Sequence, residues 1–583
     1  MKKIFIAFLG AFALLSCSQD RLDIPQKGVV PMDEFYQTDE DAEMALIGAY
    51  ETLAMQCMNF WWNDNIIYAL WNYPADDIYS AGENKADGVN QNELFAFRYP
   101  TNNAFITTGY NAFFKCVYAA NLVIDNFKDG TSETMKRAVA EAKVIRAFAY
   151  LQLAIGWGTP PIVDHVLGAT DKPANAESQD EVLGFIVKDI DEALPLLNDR
   201  KGPEDKNSIY LVTKGLAYTI KGKALLWKKD YAGAQSALKK VIESNNYRLI
   251  DDIAANFHVR GDGSPEKIFE LNLVYDASLS NYTQHSQANM SWMWNWRQSR
   301  VYIPDGISPE GEAAITYNNG WGGINPSKKF IDILLENDGY DSKRRKAWVA
   351  SYEEVLYEMP YPQDIKRDED GKPLVDAEGN YISAMTRADK EKDTKRGVYH
   401  ADGLYAHCGW FMMKVNINAE DIKLGNFNDR NTRIFRYPEV IFMFAECAIQ
   451  TGEDKEMAYE LVKSIQERAE SATVWQSSAD LTLENLKTEK MIEMWLEGCR
   501  YQDLVRWGDA PEELSDNGKY IPNFRDKIME GNEIHDGYIY EGDADWCVKL
   551  YPDLGFKAGK HELFPVPFSE TAVNENIVQN PGW

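Results

Sequence analysis

Three indoles at alternate positions, Trp292, Trp294 and Trp296, are the residues of this sequence best suited to binding chemistry. A spacing of two sets all three rings on one face of an extended strand. Asn289, Asn295, Arg297 and Tyr302 surround them. A second cluster, Trp61, Trp62, Trp71 and Tyr73, sits among Asn63, Asp64, Asn65, Asn72, Asp76 and Asp77. Trp321 stands alone in the loop Asn318-Asn319-Gly320-Trp321-Gly322-Gly323. A sugar offers an aromatic ring its axial C–H face and offers polar side chains a rim of hydroxyls. A flat aromatic floor with a few placed amides and charges meets both demands. The expected binding residues are therefore Trp71, Asn72, Tyr73, Trp292, Trp294, Asn295, Trp296, Arg297 and Trp321. The competing reading is that these rings are core. Asp76 and Asp77 are expected to cap and orient their loop.

Other chemistries have less support. Glycoside hydrolysis needs two facing carboxylates about 5–9.5 Å apart, and no hydrolase signature accompanies Asp76 or Asp77. The seven histidines are scattered, and His400 with His407-Cys408 fits no zinc spacing. The segment Asp364 to Gly379 lacks the oxygen spacing of a calcium loop and reads as an exposed hairpin. No metal or cofactor is expected. Lys and Arg number 61 against 90 Asp and Glu, a net charge of −29. A chain this acidic repels a phosphate backbone, so nucleic acid is not expected as a partner. None of the seven cysteines forms a Cys-x-x-Cys pair. Cys116, Cys447 and Cys499 fall in helical patterns, where free cysteine serves as a small buried hydrophobe.

The elements that must position these groups run over 583 residues, 45% hydrophobic and 26% charged, enough for more than one lobe. Lys2 and Lys3 precede the apolar run Ile4 to Leu15, which ends in Leu14-Leu15-Ser16-Cys17. That is a signal peptide with a lipidation site. Cys17 is expected to carry a diacylglycerol and anchor the chain, at about 0.8 kcal/mol per buried methylene. Leu15 is bulkier than is usual at its place. The organisation expected is a signal peptide over 1–16, a tether over 17–38, and a helical scaffold over 39–250. A variable insertion over 251–433, a second scaffold part over 434–510 and a loop-rich end over 511–583 complete it.

The scaffold reads as amphipathic helices over Asp39–Gln56 with Thr38 as N-cap, Asn111–Phe127, Ser132–Ile155 and Gln179–Leu197. Residues 217–245 follow a tetratricopeptide pattern. Tyr218, Gly222 and Leu225 are followed after a turn by Tyr231, Ala234, Leu238 and Val241. Gly222 and Ala234 are small because two antiparallel helices approach there. Residues 438–470 echo the pattern with Phe442, Ala445, Ile449, Ala458, Val462 and Ile465. The insertion between the two matches is rich in Gly, Asn, Asp, Tyr and Trp. Hairpins are expected at Asp370-Gly371 and Glu378-Gly379-Asn380. The fold class is mostly α, a helical-repeat scaffold carrying a partly β insertion.

Four segments together resemble the SusD/RagB family of outer-membrane nutrient-binding lipoproteins. They are Ala140 to Tyr150 with Gly156-Trp157-Gly158-Thr159-Pro160-Pro161, and Arg436-Tyr437-Pro438-Glu439-Val440 with Phe444-Ala445-Glu446-Cys447. Glu489-Lys490 through Trp495-Leu496-Glu497-Gly498-Cys499-Arg500 to Trp507-Gly508 is the third. Leu563-Phe564-Pro565-Val566-Pro567 with Gln579-Asn580-Pro581-Gly582-Trp583 is the fourth. Pro438 and Pro161 depart from the family pattern. The resemblance implies about four tetratricopeptide-like helix pairs and a non-catalytic receptor at the outer-membrane surface. It further implies an oligosaccharide ligand and a SusC-like TonB-dependent transporter as partner. It favours Trp71, because the equivalent region of the family supplies the binding loop. Peptide binding is the alternative within the family, and a purely protein-binding scaffold would leave the aromatic loops unexplained. The charged residues of the motifs, Arg146, Glu439, Glu446, Glu497, Arg500, Asp503 and Arg506, are expected to form ion networks where helices cross.

Overall fold

A computed structural model describes residues 35–58, 66–80, 88–272, 289–290, 322–351, 353–358, 364–377, 381–392, 410–416, 421–424, 427–428, 430–516 and 555–583. Its helices include α1 (Asp39–Met58), α2 (Ile66–Asn72), α3 (Val89–Phe95), α4 (Ala104–Phe127), α5 (Glu133–Trp157), α6 (Gln179–Ala193), α7 (Lys214–Trp227) and α8 (Tyr231–Glu243). After the insertion opens come α9 (Lys328–Asp338) and α10 (Lys343–Trp348). The second scaffold part adds α11 (Tyr437–Thr451), α12 (Lys455–Ala469), α13 (Leu483–Glu493) and α14 (Arg500–Trp507). Eight of these stack in series as four pairs: α1 with α4, α5 with α6, α7 with α8, and α11 with α12. Helix α11 packs directly on α8 although the whole insertion separates them in sequence. The repeat is thus one continuous stack, as the pattern of the sequence implies.

Local chemistry sets the helix ends. Thr38 and Asp41 cap each other at α1, with the Asp41 amide on Thr38 Oγ1 at 3.2 Å and the Thr38 amide on the Asp41 carboxylate at 2.8 Å. Helix α4 begins seven residues before the expected Asn111, because Asn103 Oδ1 accepts the amides of Phe105 and Ile106. Ser132, Ser178 and Thr213 cap α5, α6 and α7. Pro195 lies in the short turn Leu194–Leu196 just beyond α6, where a missing amide proton costs least. Between α7 and α8, a Cβ on Gly222 would stand 2.5 Å from Leu238 Cδ2, so only glycine allows this approach. Cys116, Cys447 and Cys499 are buried free thiols.

The insertion is held by short antiparallel pairings. Strand β1 (Ile78–Ser80) pairs with β4 (Ile324–Pro326), and β2 (Lys267–Leu271) pairs with β9 (Thr432–Arg436). Strand β5 (Val349–Ser351) pairs with β6 (Trp410–Met412), and β3 (Asn289–Met290), β8 (Phe427–Asn428) and β7 (Ile422–Leu424) form a small sheet in that order. The hairpin at Asp370-Gly371 is present, with Arg367 opposite Pro373 and Gly371 at φ 80°. Glu378-Gly379-Asn380 lies outside the described residues. Unlike the loop texture expected, the insertion also contributes α9 and α10. Ser327 caps α9, and Phe330, Ile331 and Leu334 bury one face of it against the scaffold.

Candidate functional site

Trp71, Asn72 and Tyr73 are core residues, which corrects their assignment to a binding platform. The Trp71 side chain is 1% exposed, and its Nε1 donates to Gln152 Oε1 at 2.8 Å. Its indole lies 5.6 Å from the Phe564 ring and stacks at 6.4 Å on Tyr501. Gly156 and Gly498 both press against it. A Cβ on either would come within about 3 Å of the indole side chain. Asn72 Oδ1 accepts the Gly498 amide at 3.0 Å and its Nδ2 donates to the Tyr68 carbonyl at 2.9 Å. Tyr73 is fully buried near Phe105. The family-like motifs converge here. Phe564 donates its amide to the Gly156 carbonyl at 2.7 Å, and Trp157 Nε1 donates to the Pro565 carbonyl at 2.9 Å. Asn580 Nδ2 donates to the carbonyls of Trp157 and Phe564, closing the C-terminal segment onto α5.

Asp76 and Asp77 hold the turn after α2 in place, as expected of a structural pair. Asp76 takes a bidentate contact from Arg500 at 2.7 and 2.8 Å and a third from Lys329 at 2.5 Å. Burial opposes its charge, but Arg500 and Lys329 outweigh burial and hold its carboxyl down at about 2. Burial, then the charge of Asp76, pushes the Asp77 carboxyl up to about 7. Asp76 therefore works as an ion-pair anchor and is spent on Arg500 and Lys329.

The charged residues of the motifs pair across elements. Arg146 bridges Asp189 of α6 at 2.8 Å, Lys223 meets Glu439 at 2.9 Å, and Arg506 meets Glu446. Around Arg436 the network is larger. Its guanidinium meets Glu497 at 2.6 and 2.8 Å, Glu493 at 3.1 Å, and Glu266. Arg468 joins Glu266 to Glu493, and Arg344 joins Glu493 to Glu489 and Asp338. None of these side chains is more than 11% exposed. Lys414 donates to Glu497 at 2.8 Å, and burial pulls its ammonium down to about 8.

Trp61, Trp62, Trp292, Trp294, Asn295, Trp296, Arg297, Trp321 and the lipidation residue Cys17 lie outside the described residues. The described framework nevertheless brings their flanks together. Ser80 pairs with Ile324, so the residues before 81 and after 321 meet at one end of the β1–β4 pair. Leu271 pairs with Thr432, which shares a cavity with Ile67, Tyr68, Phe257, Arg433 and Glu497. The residues that follow 65 and precede 273 therefore meet around that cavity. Its volume of about 60 Å³ holds a few waters and is too small for a sugar ring. Among the described residues no group of three or more His, Cys, Asp or Glu could hold a metal ion, and no helix is long and apolar enough to cross a membrane.

A family model described as the SusD family matches residues 265–583, and one described as "Starch-binding associating with outer membrane" matches residues 49–226. SusD-like protein P38 of Formosa agariphila is 24% identical over 544 residues, 88% of this chain and 92% of that protein. Starch-binding protein SusD of Bacteroides thetaiotaomicron is 21% identical over 485 residues, 79% of this chain and 76% of that protein. Among solved structures, a laminarin-binding SusD-like protein superposes with a TM-score of 0.66 at 22% identity, covering 93% of this chain and 99% of that one. Surface glycan-binding protein A from Bacteroides thetaiotaomicron, in complex with laminarihexaose, superposes with a TM-score of 0.68 at 20% identity, covering 93% and 100%.

Proposed function

The chain belongs to the SusD family, and from that premise we propose that it is a lipid-anchored outer-membrane receptor that binds extracellular glycan without cleaving it. It passes the bound oligosaccharide to a SusC-like TonB-dependent transporter. The observation that carries this reading is the end-to-end match of fold with solved glycan-binding proteins, over 93% of this chain. With Trp71, Asn72 and Tyr73 in the core, the binding surface is assigned to Trp292, Trp294, Asn295, Trp296, Arg297 and Trp321. Their indoles supply the apolar floor, and Asn295 and Arg297 supply hydroxyl partners. Cys17 carries the anchor. The ion-paired state of Asp76 supports the non-catalytic reading, because a general acid or base must be free to exchange a proton.

Affinity electrophoresis and calorimetry against a polysaccharide panel test the proposal. Trp294→Ala is expected to weaken binding by roughly 2 kcal/mol, more than tenfold, with an unchanged melting temperature. Binding should vary little with salt, since stacked rings are not screened. Cys17→Ala should leave the precursor unprocessed or release it from membranes. New reducing ends that survive repurification and vanish with a carboxylate variant would replace the receptor with a hydrolase. Normal glycan affinity in variants at all of Trp292, Trp294, Trp296 and Trp321 would remove the site.

A further inference from the structure

Helices α9 and α13, with the loop after α12, line an open cavity of about 380 Å³. That volume falls in the range of small-ligand sites, which run from about 300 to 1,000 Å³. Its walls follow from helical spacing. Ile333, Glu336 and Asn337 lie at i, i+3 and i+4 on α9, and Asn485 and Thr488 lie at i and i+3 on α13. The remaining wall is Thr473 and Trp475, from the loop after α12.

Trp475 is nearly buried, at 8% exposure, so only part of its ring meets the cavity. Its position is fixed from both sides of the backbone. Its amide donates to Gln466 Oε1 at 2.9 Å, and its carbonyl accepts from Tyr459 at 3.4 Å. Gln466 in turn donates to Glu489 at 2.9 Å, within the buried ion network of Arg344. Asn337 is spent on the same framework, donating to Glu489 at 3.2 Å and accepting from Thr473 at 2.8 Å. The aromatic wall is therefore preorganised, which lowers the entropic cost of binding. Thr473 is spent on Asn337, and the side chains of Glu336, Asn485 and Thr488 keep bonding capacity. Asn485 uses its Nδ2 on the Asp480 carbonyl at 2.8 Å, which leaves its side-chain oxygen as an acceptor. Among the described residues Glu336 and Thr488 have no hydrogen-bond or ion-pair partner. The lining holds one carboxylate and no cation, which disfavours phosphate, sulfate or an acidic sugar.

We propose that this cavity is a second saccharide site that takes one or two neutral sugar rings. Trp475 gives the apolar contact, and Glu336, Asn485 and Thr488 bond the hydroxyls. The ligand class rests on the glycan-binding reading, and the location does not. A peripheral site of this kind holds a second stretch of the same polymer and raises residence by multivalency.

The test uses the full mature chain labelled with [15N-indole]tryptophan, carrying Trp294→Ala and Trp296→Ala to silence the first site. Trp475→Phe assigns the Trp475 Nε1–H resonance. The probes are hexasaccharides of glucose in β-1,3 and α-1,4 linkage and of mannose, xylose and galactose. A saturable shift of the Trp475 resonance is expected with at least one of them. Asn485→Ala at the exposed rim, or Thr488→Leu filling the cavity, should raise its midpoint about tenfold or abolish it. If the resonance stays still with every probe while the unmodified protein is retained by a polysaccharide, the second site is wrong and the glycan reading stands. A shift indifferent to both rim variants also overturns it. If the unmodified protein is retained by no polysaccharide and no indole moves, the glycan reading fails and takes this inference with it.

Discussion

In the α7/α8 pair, helices meet over Gly222, whose missing side chain admits Leu238 from sixteen residues along the chain. Around Arg436, by contrast, β9 and β2 meet α12 and α13 over charge, with Glu266, Arg468, Glu493 and Glu497 buried together. The apolar pair is specified by shape between sequence neighbours. The ionic seam joins residues up to 202 positions apart and sets where the insertion docks on the repeat stack. An apolar surface tolerates small displacements, whereas a buried guanidinium must find each carboxylate in place, because a stranded charge is costly. Repeats can therefore vary by packing, and the junction between repeats and insertion can vary little.

Breaking the seam should have the largest effect. Arg436→Met leaves three carboxylates without their central partner and is expected to cost about 3–5 kcal/mol, read from urea unfolding. A double variant with Glu497→Gln should recover part of that loss, since the two sites share one network. Strict additivity would mean that the seam is not a unit. Trp71→Phe probes the place where the motifs meet. It opens space against Gly156 and Gly498 and strands Gln152, for an expected loss of about 2–3 kcal/mol. Glycan affinity of the folded fraction should not change, and a fall in affinity at constant melting temperature would return Trp71 to the binding surface. Gly222→Val sharpens the apolar side of the comparison. It overpacks Leu238 and should cost about 2 kcal/mol, without the pH dependence that charge produces. The smallest effect is expected at the margin of the charged region. Burial, then Asp76, raises the Asp77 carboxyl to about 7 against Arg500 and Lys414, so the folded protein keeps a proton that the unfolded chain releases near 3.8. Stability from this group is full below 3.8 and is lost as pH rises to about 7. Asp77→Asn should therefore match the parent at pH 4 and exceed it in stability at pH 8. Equal melting temperatures at both pH values would show that Asp77 ionises freely.

The aromatic clusters show where local reading fails. Trp71 sits among Asn72, Asp76 and Asp77, a neighbourhood that reads as solvent-facing. In the fold Asn72 is covered by Gly498 and Asp76 by Arg500, both more than 420 residues away. Polar neighbours say that a segment needs partners and say nothing of whether those partners are sugar, water or protein. Trp475, alone between Val474 and Gln476, carries no periodic signal at all, and only the packing of its loop beside α9 and α13 gives it a cavity to line.

The amphipathic scaffold helices, the Thr38 cap and the closeness of α7 to α8 were legible in the sequence alone. Those features arise from periodicity and from hydrogen bonds between residues three or four apart, which any short window contains. The charged motif residues were legible as ion-pair formers for the same reason, since Arg and Glu on helix faces must find opposite charge when buried. Tertiary structure decided their partners: Asp189 for Arg146, Lys223 for Glu439, Asp76 for Arg500. It also decided that Trp71 belongs to the core and that α9 and α10 rise within the insertion. Each of those outcomes depends on which distant surfaces exclude water together, a property of the packed chain that no single segment carries.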